Sequence, residues 1–160
     1  MKEIQLTQGL VTQVDDEDYE WLNQRKWSAK KENNTHYAVR NHSIDGKRST
    51  VRMHRLITNA PKGMDVDHID GNGTNNQRSN LRICTRSQNQ MNKGSSRGSL
   101  SKYCGVSWDK ERKNWRSRIS CNYKSIHLGH YKDETDAALA YNEAALKYHG
   151  EFARLNNIES

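Results

Sequence analysis

Asp67-His68-Ile69-Asp70-Gly71-Asn72 is the most informative run in the sequence, and Asn80-Leu81-Arg82 and Ser87-Gln88-Asn89 continue it. The pattern predicts two short strands, Val66–Ile69 and Leu81–Cys84, around a polar loop. A helix is predicted to follow, with Thr85 or Ser87 as its N-cap. This strand–loop–strand–helix unit of about 25 residues can bring Asp67, His68 and Asn89 together.

These residue types suit the hydrolysis of a phosphodiester. Asp67 and Asn89 each offer an oxygen ligand, and carboxylate and amide oxygens suit a hard cation such as Mg²⁺ or Mn²⁺. His68 is the strand neighbour of Asp67, so its side chain points to the opposite face and can accept a proton from water. Asn80 can hold the loop rigid by side-chain to backbone hydrogen bonds. By spacing alone, the Asp-His pair also fits a turn or a salt bridge.

The region before this unit is predicted to be rich in β-structure. The acidic residues Asp15–Asp18 suit the positive end of a helix dipole and predict a helix over 16–23 rather than a metal site. Strand-like runs at His36–Asn41 and Thr50–His54 flank Asp45-Gly46, a dipeptide typical of a hairpin. Arg55–Asn59 is predicted to form a short helical turn.

A Ser- and Gly-rich stretch divides the chain. Residues 92–101 read NKGSSRGSLS, which is typical of a flexible linker. The predicted organisation is a first domain over 1–92, a linker over 93–101 and a second domain over 102–157. The whole chain carries 26 − 19 = +7 charges, and residues 95–132 alone carry 9 − 2 = +7. The strongest positive charge therefore follows the linker, which favours a polyanionic partner.

The second domain is predicted to be a three-stranded antiparallel sheet backed by one helix. The strands are Lys102–Asp109, Trp115–Ser120 and Lys124–Tyr131, and the helix begins at Asp133 and ends at Gly150. Alternation predicts that the following residues face outward: Ser107, Asp109, Arg116, Arg118, Ser120, Ser125 and His127. An open basic face of this width can enter a DNA major groove, although a solvated sheet face explains the charge equally well.

Composition excludes several classes of protein. The chain has 160 residues, enough for one ordinary domain or two small ones. The longest apolar run, Ala137–Tyr141, is too short to cross a membrane, and the N-terminus lacks the apolar region of an export signal. Three scattered Cys do not form a disulfide framework or a C-x-x-C pair. We therefore expect a cytoplasmic protein without structural zinc.

The central motif resembles the HNH endonucleases, also called ββα-metal nucleases, and in particular the phage and mobile-element branch whose last motif residue is Asn. The match includes the lead-in Met53-His54-Arg55-Leu56-Ile57. The resemblance implies that His68 is the general base, that Asp67 and Asn89 bind the metal, and that Asn80 is structural. It places His54 and Arg82 near the scissile phosphate, although His54 also fits a purely structural role.

The C-terminal part resembles the AP2 DNA-binding domain, through Gly105-Val106, the Trp115–Ile119 run, Leu128-Gly129 and Ala137–Asn142. This resemblance implies that the sheet binds duplex DNA. Our predicted contacts are Arg116 and Arg118 on the sheet, with Arg112 and Lys124 at its rim and His127 on the same face. Outward positions that are typically Arg or Trp in plant AP2 domains are Ser107, Asp109, Ser125 and His127 here, so no target site is implied.

The sequence thus predicts an α+β protein in which a ββα-metal nuclease core with an N-terminal β-rich extension precedes an AP2-like domain. The expected activity is metal-dependent cleavage of double-stranded DNA that leaves 5'-phosphate and 3'-hydroxyl ends, with Mg²⁺ as the first choice of cofactor. A homing role in a phage or mobile element is favoured over restriction or nicking. The alternatives are a non-catalytic DNA-binding regulator and an RNA-binding module. The chain is expected to act as a monomer or a homodimer.

Overall fold

The structure is a computed structural model that describes residues 1–32, 34–44, 46–94 and 99–158. The chain forms two compact units, Met1–Thr85 and Arg86–Ser160. Both combine small antiparallel sheets with short helices, so the predicted α+β class is confirmed. The predicted linker includes residues 95–98, which lie outside the described residues.

The first unit contains three small antiparallel sheets and two helices. Its elements in chain order are β1 (Lys2–Gln5), β2 (Val11–Val14), α1 (Asp16–Asn23), β3 (Ser28–Glu32), β4 (Thr35–Ile44), β5 (Lys47–Arg52), α2 (Met53–Thr58), β6 (Asp65–His68) and β7 (Leu81–Cys84). The sheets are β1-β2, β3-β4-β5 and β6-β7. Every sheet contributes to one core, which includes Ile4, Val14, Ala38 and Val66. The core therefore ties the N-terminal hairpin to the strands of the central motif.

The structure shifts the boundary between two predicted elements of this unit, the strand Thr50–His54 and the helical turn Arg55–Asn59. The predicted hairpin forms between β4 and β5, but Met53 and His54 belong to α2 rather than to a strand. Met53 is fully buried in the core, and the helix that begins there brings His54 inward as well. The predicted turn residue Asp45 lies outside the described residues.

The second unit begins with a helix and continues with the predicted sheet. Its elements are α3 (Arg86–Met91), β8 (Val106–Asp109), β9 (Asn114–Cys121), β10 (Lys124–Tyr131) and α4 (Glu134–His149). The strand order is β10-β9-β8, and α4 packs its small residues Ala137, Ala138, Ala144 and Ala145 against the sheet. The Asp133 side chain caps α4 by accepting a hydrogen bond from Thr135 N at 2.7 Å, and Gly150 ends the helix.

The first strand of this sheet is shorter than predicted. Lys102–Gly105 do not join β8, because Gly105 adopts φ +73° and the Cys104 backbone is held by Asn156. A Cβ on Gly105 would lie 2.1 Å from the Tyr141 ring, so only glycine permits this close approach. The segment is therefore tied to the C-terminal tail instead of extending the sheet.

Candidate functional site

The sequence pair Asp67-His68 lies at the end of β6, where it pairs with the start of β7. Asp67 is opposite Arg82 and His68 is opposite Leu81. Asp67 Oδ2 accepts hydrogen bonds from Arg82 Nε at 2.9 Å and from Arg82 Nη2 at 2.7 Å. Both side chains are largely buried. The structure therefore brings together three of the predicted site residues, Asp67, His68 and Arg82, on one two-stranded ribbon.

His68 is enclosed by aromatic and imidazole rings. Its ring centroid lies 5.7 Å from that of Tyr37 and 5.1 Å from that of His54. Only 5% of His68 is exposed, and this burial lowers the pKa of its imidazole below the usual value. The neutral ring is the form that accepts a proton, so the surroundings keep His68 in the state that a general base requires.

His54, from α2, forms the second wall of this enclosure. Burial, followed by the neighbouring His68 and Arg52, lowers the pKa of His54 to about 3. Its Nδ1 atom is buried and has no hydrogen-bond partner among the described residues. A neutral imidazole next to His68 adds no positive charge, and it can offer a nitrogen to a ligand that enters the site.

The Nε2 atom of His68 lies 3.2 Å from Asn76 Oδ1. Asn76 Nδ2 donates to Thr12 Oγ1 at 2.7 Å, and Thr12 Oγ1 donates to Thr74 O at 2.7 Å. Thr12 and Asn76 are completely buried. A continuous polar chain therefore runs from the N-terminal hairpin to the ring of His68.

Asn80 organises the loop between β6 and β7. Its Oδ1 accepts from Asp70 N at 3.0 Å, and its Nδ2 donates to Asp70 Oδ1 and to Asn75 O, both at 2.9 Å. Asp70 also accepts from Asn75 Nδ2 at 2.9 Å. Asn80 thus ties the two sides of the loop to each other by contacts of the kind that the sequence suggested for it.

The outer face of the β8-β9-β10 sheet is basic. Arg116 and Ser107 are opposite each other, as are Arg118 and His127. Arg118 and His127 are exposed, and the predicted rim residues Arg112 and Lys124 are exposed in the turn after β8 and at the start of β10. Arg116 Nε is buried without a hydrogen-bond partner among the residues that the structure describes. Four of these five basic residues are therefore exposed to solvent.

A β-bulge adds one residue to this face. The register of β10 shifts between His127 and Gly129, so that His130 pairs with Arg116. His130 thereby joins His127 on the outer face, with their ring centroids 4.7 Å apart, and its Nδ1 lies 2.9 Å from Asn114 Oδ1. Strict alternation would have placed His130 on the inner face. Gly129 is the residue in the sequence that indicates a bulge at this place, although no bulge was predicted from it.

Comparison with known proteins bears on the region of His68. A family model described as HNH endonuclease matches residues 52–91. Protein 3.8 of Escherichia phage T7 is 34% identical over 94 residues, which are 59% of this chain and 77% of the phage protein. Residues 52–91 are an HNH endonuclease domain.

A second relative of this chain is also viral. Uncharacterized HNH endonuclease L560 of Acanthamoeba polyphaga mimivirus is 35% identical over 115 residues, which are 68% of this chain and 59% of the viral protein. No solved structure matches the chain. The family match ends at residue 91, so the AP2-like assignment stays a prediction. No helix in the described part of the chain is long and apolar enough to cross a membrane.

HNH nucleases generally use a divalent metal. Asp67 offers carboxylate oxygens, and Asn89, which lies on α3 in the second unit, offers an amide oxygen. Cys84 ends the strand that pairs with β6, but burial raises the pKa of its thiol to about 11, which keeps it protonated. Within the described ranges, no three His, Cys, Asp or Glu side chains form a metal-binding group. Carboxylate oxygens such as those of Asp67 are donors of the kind that a hard cation prefers.

Sequence reasoning missed three residues around His68. Tyr37 packs against its ring, Asn76 contacts its Nε2, and Thr12 holds the Asn76 amide. Asn76 was visible in the sequence as part of the polar loop. Tyr37 and Thr12 reach the site only through tertiary packing, and no local pattern marks them.

Proposed function

We propose that this protein is a metal-dependent DNA endonuclease in which His68 is the general base. The observation that carries the proposal is the burial of a neutral His68 beside Asp67, inside the segment that matches the HNH endonucleases. We further propose that this segment is a ββα-metal nuclease core and that the C-terminal sheet and helix form an AP2-like DNA-binding domain. The proposed functional boundary lies near residue 92, after α3, although α3 falls in the second compact unit.

Each residue of the site has a separate role in the proposed reaction. His68 accepts a proton from the water that attacks the scissile phosphate, and burial keeps its imidazole neutral before the step. Asp67 and Asn89 supply oxygen ligands, and Arg82 holds the Asp67 carboxylate in place through the two bonds to Oδ2. A divalent cation, with Mg²⁺ as the first choice, supplies positive charge to the phosphorane-like state and the leaving oxygen. Asn80 keeps the loop rigid, and His54 is available to contact the phosphate.

The second unit supplies affinity for the duplex in this proposal. The exposed Arg118, His127, Arg112 and Lys124 are free to reach phosphates or base edges, and the sheet is broad enough to enter a major groove. A DNA-binding module on the same chain raises the local concentration of the nuclease at its target. A homing role and the 5'-phosphate and 3'-hydroxyl products remain parts of this proposal.

The proposal is tested by cleavage of supercoiled plasmid with and without Mg²⁺. We expect the wild-type chain to cut in Mg²⁺ or Mn²⁺ and to stop in EDTA. The His68→Ala variant should lose about 10²–10⁴ in cleavage rate while it retains DNA affinity, because one neutral imidazole contributes little to counterion release. The matched control is His42→Ala, which removes an exposed histidine from β4 of the same unit.

The outcome separates the proposal from its alternative. Tight duplex binding without cleavage in any divalent metal would identify a DNA-binding regulator with a degenerate nuclease fold. Cleavage by His68→Ala at the wild-type rate would refute the role of His68. Asp67→Ala and Asn89→Ala should each raise the Mg²⁺ concentration that gives half-maximal cleavage, and an unchanged requirement would refute their role as ligands.

A further inference from the structure

Three buried polar side chains from separate segments form one hydrogen-bonded chain at the candidate base. Thr12 comes from β2, Asn76 from the loop after β6, and His68 from β6 itself. Thr12 and Asn76 are 0% exposed and His68 is 5% exposed. Buried polar groups are costly unless every member is satisfied, so the direction of each bond in this chain can be worked out.

The first direction is set by a carbonyl. Thr12 Oγ1 lies 2.7 Å from Thr74 O, and only the hydroxyl can supply the proton between these two oxygens. Met53 Sδ, at 4.0 Å, is a weak and distant alternative acceptor. The single proton of Thr12 is thereby committed, so its oxygen must accept the bond from Asn76 at 2.7 Å.

The Asn76 amide is therefore oriented with its nitrogen toward Thr12 and its oxygen toward His68. The reversed amide would require Thr12 to donate to Asn76. The oxygens of Thr12 and Thr74 would then face each other at 2.7 Å without a proton, in a place that water does not reach. The reversed orientation also has one hydrogen bond fewer.

We propose that Thr12 and Asn76 are positioning residues that keep the proton of neutral His68 on Nε2, so that Nδ1 carries the lone pair that accepts the proton of the attacking water. The inference rests on the proposed function for its catalytic meaning. A neutral imidazole has one N–H and one acceptor nitrogen. Asn76 Oδ1 is an acceptor only, so the nitrogen that faces it at 3.2 Å must be the N–H.

This assigns a role to the N-terminal hairpin. Gln13 N donates to Thr74 O at 2.9 Å, and Asn76 N donates to Gln13 O at 2.8 Å. The backbone of β2 is thus hydrogen-bonded to the loop on both sides of Asn75, and these bonds fix the position of the Asn76 amide. The hairpin lies outside residues 52–91, which the family model matches, yet it completes the surroundings of the base.

The test compares two variants of Thr12 in the full-length chain, one that loses the hydroxyl group and one that loses the methyl group. Thr12→Val keeps the volume and removes the hydroxyl, so the Asn76 amide can reverse. Thr12→Ser removes a methyl group and keeps the hydroxyl. We expect Thr12→Val to lower kcat about 10–100-fold at unchanged KM, and Thr12→Ser to stay near the wild-type kcat. Thr7→Val is the matched control, since it deletes a hydroxyl that accepts from Ala29 N at 3.0 Å elsewhere in the same unit.

A direct measurement accompanies the kinetics. Long-range ¹H–¹⁵N correlation spectra report which ring nitrogen carries the proton, and the His68 signal is identified by its absence from His68→Ala. We expect Nε2–H in the wild type and in Thr12→Ser, and a substantial Nδ1–H fraction in Thr12→Val.

The two proposals fail in distinguishable ways. A wild-type His68 protonated on Nδ1 refutes this inference whatever the activity, and it needs no variant to fold. An unchanged kcat in Thr12→Val, or equal losses in Thr12→Val and Thr12→Ser, also overturns it. A wild-type chain that never cuts DNA, although His68 carries its proton on Nε2, refutes the proposed function instead.

Discussion

Replacement of Gly73 by alanine tests how the packing around His68 is maintained. Gly73 lies in the loop between β6 and β7, and its backbone N donates a hydrogen bond to Thr35 Oγ1 at 2.8 Å. A Cβ at this position would lie 2.5 Å from His36 O and 2.7 Å from two atoms of the Tyr37 ring. One obstacle is backbone and the other is a ring that packs against His54 and His68, so neither can yield without a shift in the site.

The expected cost follows from these distances. Overpacking of this kind destabilises by about 1–3 kcal/mol. For a unit of this size each kcal/mol lowers Tm by about 4–8 °C. Displacement of Tyr37 toward His68 moves the imidazole by a fraction of an ångström. For the proposed general base, misplacement on that scale costs roughly 10–100-fold in rate. Thermal unfolding and plasmid cleavage by Gly73→Ala measure the two effects.

Gly63→Ala is the control for backbone strain. Gly63 has φ +90°, but a Cβ there would meet no atom within 4 Å. We expect this variant to lose stability, because an L-residue at this φ is strained, and to keep the wild-type cleavage rate when folded. Gly73→Ala with wild-type Tm and wild-type rate would refute the packing argument. An equal loss of activity in both variants would show that lower stability alone, and not a shift of the site, explains the loss.

Three further predictions concern other parts of the chain. Arg78→Met should destabilise the first unit by about 1–3 kcal/mol in a urea titration, because it removes two hydrogen bonds, at 2.8 and 2.7 Å, from the buried carboxylate of Asp18, which among the described residues keeps only the bond from Trp21. An exposed charge pair would cost under about 1 kcal/mol. Tyr123→Gly should raise stability by about 1 kcal/mol by thermal unfolding, since Tyr123 is 88% exposed at φ +62°. Arg116→Ala with Arg118→Ala should make the slope of log K against log salt for duplex binding less negative by about 1.8, and an unchanged slope would exclude both from phosphate contact.

Local patterns in the sequence were sufficient for several elements. The helix predicted over 16–23 is α1, Asp16–Asn23, and the strand predicted over Leu81–Cys84 is β7 with the same bounds. Acidic residues at a helix start and short apolar runs between turns are local signals, and nothing in the tertiary structure opposes them here. The same signals predicted a strand at Val66–Ile69, which the structure places one residue earlier, at Asp65–His68.

The parts that were not predictable depend on tertiary contacts. Cys104 precedes β8 instead of joining it because its backbone is bound by Asn156, 52 residues away. His130 faces outward because a bulge breaks the alternation of β10. Tyr37 reaches His68 from another sheet. The spacing of apolar and polar residues within a short stretch of sequence carries no information about such contacts.

The hydrogen bond between Asn76 and Thr12 has a consequence for how activity arises during synthesis. It joins residues 64 positions apart, so it closes late relative to the local helices and hairpins. A nascent chain that ends before Asn76 lacks the Asn76 amide and part of the loop to which its N-terminal hairpin is hydrogen-bonded. The ring of His68 therefore gains its contact with Asn76 only after residue 76 has emerged from the ribosome. Under the proposed function, a chain that ends before Asn76 would therefore lack an oriented base.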